Sequence, residues 1–238
     1  MKRNSLLAGA AALAILGGFW AMTRGTAGPV TALATPALAQ EATATSEASR
    51  VPDMVLGKQD APVTVVEYAS FTCPHCANFH ATVFDKMKAD YIDTGKVRFV
   101  YREVYFDRYG LLAAMIARQG GPEKYFAISD ILYDTQKDWL ASGEDAVIIE
   151  NLKKIGLKAG LDQAKVDATI KDFETCTADL NACMATDNIA GAMVATYQTN
   201  AQKDGIESTP TFLINGEKQS GAMSYEEFSK LLEAKLEG

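Results

Sequence analysis

Cysteine and proline are both scarce in this chain, and positive charge is outweighed by negative charge. Four cysteines and 7 prolines among 238 residues exclude a small scaffold held together by disulfides and a fibrous or largely disordered chain. The chain has 23 Lys and Arg against 30 Asp and Glu. This balance argues against nucleic acid as a partner, because phosphate binding needs a basic surface, and against an electrostatic hold on anionic lipid. Hydrophobic side chains make up 48% of the residues, as in ordinary globular proteins.

The N-terminal segment has the features of an export signal. Two basic residues precede an apolar, uncharged run over 6–22, and Ala37-Leu38-Ala39 is a small-residue cleavage site. We therefore expect a cleavable signal peptide over 1–39, a flexible polar leader over 40–50, and export to a periplasm-like compartment. A retained membrane anchor is the alternative, because the apolar run is close to the shortest length that crosses a bilayer.

The predicted elements alternate between strand and helix at both ends of the chain and are helical in the middle. A β-rich run at 62–68, a helix over 74–94 and a strand at 97–104 form a βαβ unit, which favours a parallel strand pair. Near the C-terminus, a short strand, an Asn-Gly hairpin turn and a capped helix form a ββα unit. The sequence therefore predicts an α/β core with an all-helical insertion. The predicted parts are a first half over 51–107, the helical insertion over 108–204 and a second half over 205–238.

Two of the cysteines lie where the first strand gives way to the first helix, in the motif Cys73-Pro74-His75-Cys76. At a helix N-terminus the unpaired N–H groups and the helix dipole favour an anion, so the pKa of Cys73 should be lowered. Pro74 suits the first helical turn, and His75 can add a donor or a positive charge beside the sulfur. Cys76, one turn further on and more buried, is then the resolving thiol.

This arrangement predicts thiol–disulfide exchange, for which neither a cofactor nor a metal is expected. A client thiolate attacks Cys73 of the oxidised protein, and a second client thiol then releases Cys73 as a stabilised thiolate. Haem attachment would need a histidine where Ala77 stands. A structural bridge between the two motif cysteines would be strained. A metal-binding module that uses Cys73, Cys76 and His80 is the alternative from a different functional class.

Two further positions fit exchange chemistry. Glu67 is an acid within an otherwise apolar strand; if buried, it can relay a proton to or from Cys76, and the alternative is an exposed acid on an edge strand. Thr209-Pro210 directly precedes the strand at 211–214. A cis bond there would present backbone to an extended client peptide, whereas a trans proline that ends a loop is the alternative.

The other two cysteines are Cys176, directly before a helix predicted over 177–204, and Cys183, within the first two turns of that helix. On one continuous helix their Cα atoms would be about 10 Å apart, which is too far for a disulfide. Asp179 and Asn181 permit a break in the helix. We therefore expect a local structural disulfide, with free or intermolecular thiols as the alternative.

The chain resembles the DsbA-type branch of the thioredoxin superfamily. The resemblance implies a thioredoxin fold with an inserted helical domain, Cys73 as the attacking thiol, Cys76 as its resolving partner, Glu67 as a buried acid and a cis bond before Pro210. It also implies unfolded or reduced exported proteins as substrates, and reoxidation by a quinone-linked membrane partner of the DsbB type. The segments that carry it are Val65-Val66-Glu67, Phe71-Thr72-Cys73-Pro74-His75-Cys76 and Ser208-Thr209-Pro210-Thr211.

Thr209 bears on the direction of exchange. Oxidant members of the family often carry Val before the proline, whereas disulfide isomerases of the superfamily often carry Thr. We expect a protein that introduces disulfides into exported proteins, and an isomerase or reductase on the same fold is the alternative. A chaperone-like holder of unfolded chains is a further alternative.

Overall fold

The computed structural model describes residues 51–179, 181, 183 and 188–238. The predicted signal peptide, its cleavage site and the leader lie outside these residues. Within the described part of the chain, no helix has both the length and the apolar composition that crossing a bilayer requires.

Five strands form one mixed sheet in the order β1-β3-β2-β4-β5. Strand β2 lies in the centre, parallel to β3 and antiparallel to β4, which confirms the predicted α/β class with its βαβ and ββα units. The sequence pattern does not predict β1, because three residues are too few to show a periodicity. The strands are β1 (Met54–Leu56), β2 (Val63–Ala69), β3 (Val97–Glu103), β4 (Thr211–Ile214) and β5 (Glu217–Ser220).

The helix after β2 is not a regular α-helix. It begins as α1 (Pro74–Phe79), widens into a π-helical turn (His80–Phe84), returns to α-helix as α2 (Asp85–Met87) and ends in a second π-helical turn (Lys88–Ile92). A π-helical turn inserts an extra residue, which changes the side chains that face the core. The sequence predicts the extent of this helix, but its apolar spacing does not reveal the two widened turns.

Helices fill most of the described residues between β3 and β4. Their bounds are α3 (Arg108–Gln119), α4 (Gly121–Asp134), α5 (Gln136–Leu140), α6 (Asp145–Lys158), α7 (Gln163–Ala178) and α8 (Ile189–Asp204). Their positions agree with the helical character predicted for 108–204.

The single helix predicted over 177–204 is wrong. Helix α7 ends at Ala178, Asp179 has an extended backbone, and α8 begins after Asn188, whose side chain accepts hydrogen bonds from the first amides of that helix. The interruption brings the Cα atoms of Cys176 and Cys183 to 4.9 Å, and a disulfide joins the two residues. A break near Asp179 therefore supplies the close approach that one straight helix would prevent.

The C-terminal ββα unit packs against the helix that carries the cysteine motif. The predicted turn between β4 and β5 has Asn215 and Gly216 at φ 47 and 86, as a two-residue hairpin turn requires. Helix α9 (Tyr225–Leu236) begins with the predicted capping box. The ring of Phe79 lies 4.7 Å from that of Phe212 and 5.6 Å from that of Phe228, between centroids. This aromatic cluster joins α1, β4 and α9.

A buried ion pair joins α3 to the end of β3. Arg118 makes two hydrogen bonds to the carboxylate of Glu103, at 2.7 and 2.6 Å, and a third to the carbonyl of Pro52 at 2.9 Å. The hydroxyl of Tyr125 on α4 donates to the same carboxylate at 2.8 Å. The two ionic side chains are only 11% and 5% exposed. One carboxylate thus connects the sheet to two helices.

Candidate active site

Cys73 and Cys76 are free thiols at the start of α1. Cys73 is the N-cap residue and is 9% exposed, whereas Cys76 is fully buried. The hydrogen bond from the Cys76 thiol is the largest of the interactions that lower the pKa of Cys73, from its usual 9.0 to about 5. Burial opposes this shift, and the backbone amides of Cys76 and His75 add to it. The N-terminus of a helix thus stabilises a thiolate, as the sequence predicts.

The pKa of Cys76 moves in the opposite direction. Burial raises it, and so do the hydrogen bond to Cys73 and the negative charge of Glu67. At neutral pH the site therefore holds one accessible thiolate and one buried thiol. This difference gives the two cysteines of the motif different chemistry.

Pro74 and His75 are both exposed at the mouth of the site. Pro74 occupies the first helical position, where its missing N–H costs nothing. His75 acts on the Cys73 sulfur through its backbone amide. The imidazole itself faces solvent, where it is available to an incoming client.

The loop before β4 lies against the Cys73 sulfur. The Thr209–Pro210 bond is cis, and the thiol of Cys73 lies 3.5 Å from the carbonyl oxygen of Thr209, to which it donates. Among the described residues, the buried hydroxyl of Thr209 has no hydrogen-bond partner in this geometry. That side chain nevertheless helps to lower the pKa of Cys73. Once Cys73 is ionised, its thiolate can accept a hydrogen bond from the Thr209 hydroxyl, which stabilises the charged form.

Replacement of this hydroxyl should therefore weaken the thiolate. We expect Thr209→Val to raise the pKa of Cys73 above 5, by about one unit, because a single neutral hydrogen bond to the charged form is lost. The measurement is a pH titration of thiolate ultraviolet absorbance in the reduced protein. Thr211→Val is the matched control, since the Thr211 hydroxyl donates to the carbonyl of Ser208 instead. An unchanged midpoint in Thr209→Val would contradict the assigned contact.

Glu67 on β2 is fully buried, and its negative charge acts on Cys76. The alternative of an exposed acid on an edge strand is wrong, because β2 is flanked by β3 and β4. Its Oε2 atom is 3.0 Å from Nε2 of His80, which is itself buried. His80 is therefore a buried hydrogen-bond partner of Glu67. In the described part of the chain, no three His, Cys, Asp or Glu side chains are grouped to hold a metal ion.

Sequence reasoning missed two side chains that hold the loop before Cys73. Gln136 of α5 is buried, and its amide nitrogen donates to the carbonyls of Phe71 and Cys73 at 2.8 and 3.0 Å. The hydroxyl of Thr72 donates to Asp107 at 2.6 Å. Asp107 is the N-cap residue of α3, and an Asp directly before a helix is a sequence signal that could have predicted this position. Nothing in the sequence marks Gln136, because its role depends on a contact 63 residues away.

An open cleft of about 360 Å³ begins beside the same loop. Asp107 lines it, together with Phe106 and Tyr197. Phe106 is 58% exposed, which is unusual for a large apolar side chain in this protein. The cleft therefore offers an apolar surface next to Asp107. Asp107 contacts Thr72, which directly precedes Cys73.

The sequence matches a family model described as thioredoxin over residues 49–234. A protein of Rickettsia bellii (strain RML369-C), provisionally named a protein-disulfide oxidoreductase, is 31% identical over 165 residues, or 69% of this chain and 57% of that protein. The chain thus spans less than two thirds of the length of that relative. Disulfide bond formation protein D of Bacillus subtilis (strain 168) is 29% identical over 195 residues, or 77% of each chain.

Solved structures agree with these sequence relatives. The crystal structure of α-DsbA1 from Wolbachia pipientis superposes with a TM-score of 0.64 at 28% identity, and the match covers 79% of this chain and 92% of that one. The thioredoxin fold expected from the sequence is thereby confirmed. The cysteine pair at the start of the first helix, the cis-proline loop against its outer sulfur and these matches lead to one conclusion: the chain belongs to the thioredoxin family, and its structure is similar to that of α-DsbA1.

Proposed function

We propose that this protein introduces disulfides into exported proteins by exchange at Cys73 and Cys76. The observation that carries the proposal is the opposite displacement of the two thiol pKa values, which lowers that of Cys73 to about 5 and raises that of Cys76. A thiol with a low pKa is a good leaving group, and a protein that stabilises its reduced form in this way is an oxidant.

The exchange proceeds in two steps from the disulfide form. A client thiolate attacks the sulfur of Cys73, which forms a mixed disulfide and leaves the electron pair on Cys76. Cys76 then takes up a proton, because its pKa favours the thiol. The second client thiol loses its proton to water and attacks the client sulfur of the mixed disulfide, which releases Cys73 as a thiolate. The client is oxidised by two electrons and the protein is reduced by two.

Several contacts support the roles proposed for the remaining site residues. The cis-proline loop at Thr209 and Pro210 lies against Cys73, where an extended client can pair with its backbone. The exposed ring of Phe106 in the adjacent cleft suits an apolar client side chain. Glu67 has one carboxylate oxygen free on the buried side of the site, where it can exchange a proton with Cys76.

The location and the partners follow from the same proposal. The basic start, the apolar run and the small-residue cleavage site within 1–39 support export to a periplasm-like compartment. Clients would be unfolded or reduced exported proteins. Each turnover leaves Cys73 and Cys76 reduced, so the cycle needs an external oxidant, for which we propose a quinone-linked membrane protein of the DsbB type.

An isomerase is the second candidate, and Thr209 favours it. The hydroxyl of Thr209 stabilises the thiolate of Cys73, and a standing population of thiolate is what an isomerase uses to attack wrong disulfides. The same stabilisation serves an oxidant, so the contact alone does not separate the two directions.

One assay separates the two directions. The mature protein is added in catalytic amounts to scrambled, mispaired ribonuclease in glutathione buffer, and Cys73→Ser serves as the blank. Fast oxidation of a reduced dithiol client without reactivation of ribonuclease is the result we expect. Reactivation clearly above the blank would instead assign isomerase activity. Absence of both activities would refute an exchange function altogether.

A further inference from the structure

His80 is buried within the helix that carries the cysteine motif, and the exchange steps described above do not use it. It opens the π-helical turn that follows α1, and such turns are frequent at functional sites. Its side chain is 5% exposed and lies 3.0 Å from Glu67, whose side chain is completely buried. Burial of two polar side chains costs stability, so the pair calls for a functional explanation.

The hydrogen-bonding of this pair fixes the position of the imidazole proton. Among the described residues, Nδ1 of His80 and Oε1 of Glu67 have no hydrogen-bond partner. A neutral imidazole carries one N–H, and a buried N–H without an acceptor is costly. The favourable arrangement therefore has the proton on Nε2, which donates to Oε2 of Glu67. The N–H of His80 is then used by Oε2, and Oε1 is the carboxyl oxygen that can accept a proton from another group.

The other ionisable groups around the pair do not compete for that proton. Tyr101 of β3 pairs with Glu67 in the sheet register, and Tyr133 of α4 stacks on His80 with ring centroids 4.3 Å apart. Burial raises the pKa of both tyrosines well above 10.0, so both remain neutral. Asp130 of α4 lies towards the surface, and partial burial raises its pKa. Cys76 is the remaining group that Glu67 influences.

We propose that His80 is a positioning residue for closure of the motif disulfide, because it donates to Oε2 of Glu67 and leaves Oε1 as the acceptor for the proton of Cys76. The step begins with Cys73 in a mixed disulfide. The proton of Cys76 moves to Oε1 of Glu67, the Cys76 sulfur attacks that of Cys73, and the outer partner leaves with the electron pair as a thiolate. One S–H and one S–S bond break, while one O–H and one S–S bond form. This inference rests on the proposed function and deepens it.

The closure step can be observed separately from the first attack. The reduced full chain is mixed with a chromogenic aromatic disulfide in a stopped-flow instrument. Attack by Cys73 releases one coloured thiolate in a first phase, and closure by Cys76 releases a second in a later phase. Both phases are recorded against pH for the wild-type protein, His80→Phe and His80→Gln. His80→Gln keeps an N–H donor for Glu67, whereas His80→Phe does not.

We expect the second phase of His80→Phe to be about tenfold slower near pH 7, because Glu67 loses the hydrogen bond that orients its carboxyl group and supports Oε1 as the proton acceptor. The difference from wild type should narrow at high pH, where hydroxide can remove the proton of Cys76 in place of Glu67. His80→Gln should restore the second phase to within about threefold of wild type. The first phase should be the same in all three proteins, since it depends on the thiolate of Cys73.

Other outcomes have definite meanings. A second phase in His80→Phe that matches wild type at every pH, or one that is slowed equally in both variants at every pH, overturns the inference. If His80→Phe does not fold, His80→Ala is tested with and without added imidazole, and failure of imidazole to accelerate its second phase overturns the inference as well. If wild type releases only one coloured thiolate, Cys76 does not close the disulfide, and the proposed function fails instead.

Discussion

A Cys73→Ser variant is expected to react with a chromogenic aromatic disulfide at least about a hundredfold more slowly than the wild-type protein at pH 7. Cys73 has a pKa of about 5 and is almost wholly thiolate at this pH. The thiol that remains in the variant is Cys76, which is fully buried and has a raised pKa. The thiolate, not the thiol, is the nucleophile, so the variant has neither the ionisation nor the access that the reaction needs.

Cys76→Ser is the matched variant for this experiment, and its expected behaviour is different. It keeps Cys73 at the helix N-terminus and should react quickly, but only once, because no second thiol can release the bound group. The product is a stable mixed disulfide, which mass spectrometry of the unreduced protein detects as a single adduct. The wild-type protein should instead release two thiolates and carry no adduct. Rapid reaction of Cys73→Ser, or turnover by Cys76→Ser, would reverse the proposed roles of the two cysteines.

Arg118→Leu is expected to lower the free energy of unfolding by about 3–5 kcal/mol. The substitution removes two hydrogen bonds to Glu103 and leaves that carboxylate buried, with Tyr125 as a neutral partner. An uncompensated buried charge is far more costly than the loss of an exposed ion pair. Because small domains are stable by only about 5–15 kcal/mol, the loss should be evident in urea denaturation, measured with the motif cysteines in one redox state.

Two further variants test the explanation for this loss. Lys154→Leu removes an exposed partner of Glu150 one helical turn away and should change stability by less than about 0.5 kcal/mol. The double variant Glu103→Met/Arg118→Leu should be more stable than Arg118→Leu, because it removes the stranded carboxylate together with its partner. A double variant that is less stable than the single one would indicate that Glu103 contributes mainly through Tyr125.

The main features of the sheet and the cysteine motif could be predicted from local patterns. Strands β2, β3 and β4 are apolar runs bounded by turn residues, and Asn215-Gly216 specifies a hairpin on its own. The lowered pKa of Cys73 also depends largely on neighbours in the chain, because the thiol of Cys76 makes the largest contribution and the first amides of the helix add to it. Local sequence is sufficient here because backbone hydrogen bonds and dihedral preferences act between adjacent residues.

The prediction of one helix over 177–204 is wrong because local sequence is not sufficient there. The residues of this segment include no proline, and Asp179 and Asn181 permit a break without requiring one, so helical propensity alone favours one long helix. The structure instead breaks the helix at Asp179, where the backbone is extended, and begins α8 after Asn188, and a disulfide joins Cys176 to Cys183. The covalent bond and the capping side chain outweigh a propensity that amounts to a few tenths of a kcal/mol per residue.

The sequence by itself determined the fold class, the place of the motif and the difference in chemistry between a helix-capping cysteine and the cysteine one turn later. Only the tertiary structure decided what surrounds them. It placed Gln136 on the carbonyls of Phe71 and Cys73, and it placed His80 against Glu67. Such contacts join elements that are distant in the chain, and they depend on helix packing and on a π-helical turn. The spacing of residues in the sequence predicts neither the helix packing nor the π-helical turn. The stabilisation comes from hydrogen bonds between buried polar atoms that become neighbours only after folding.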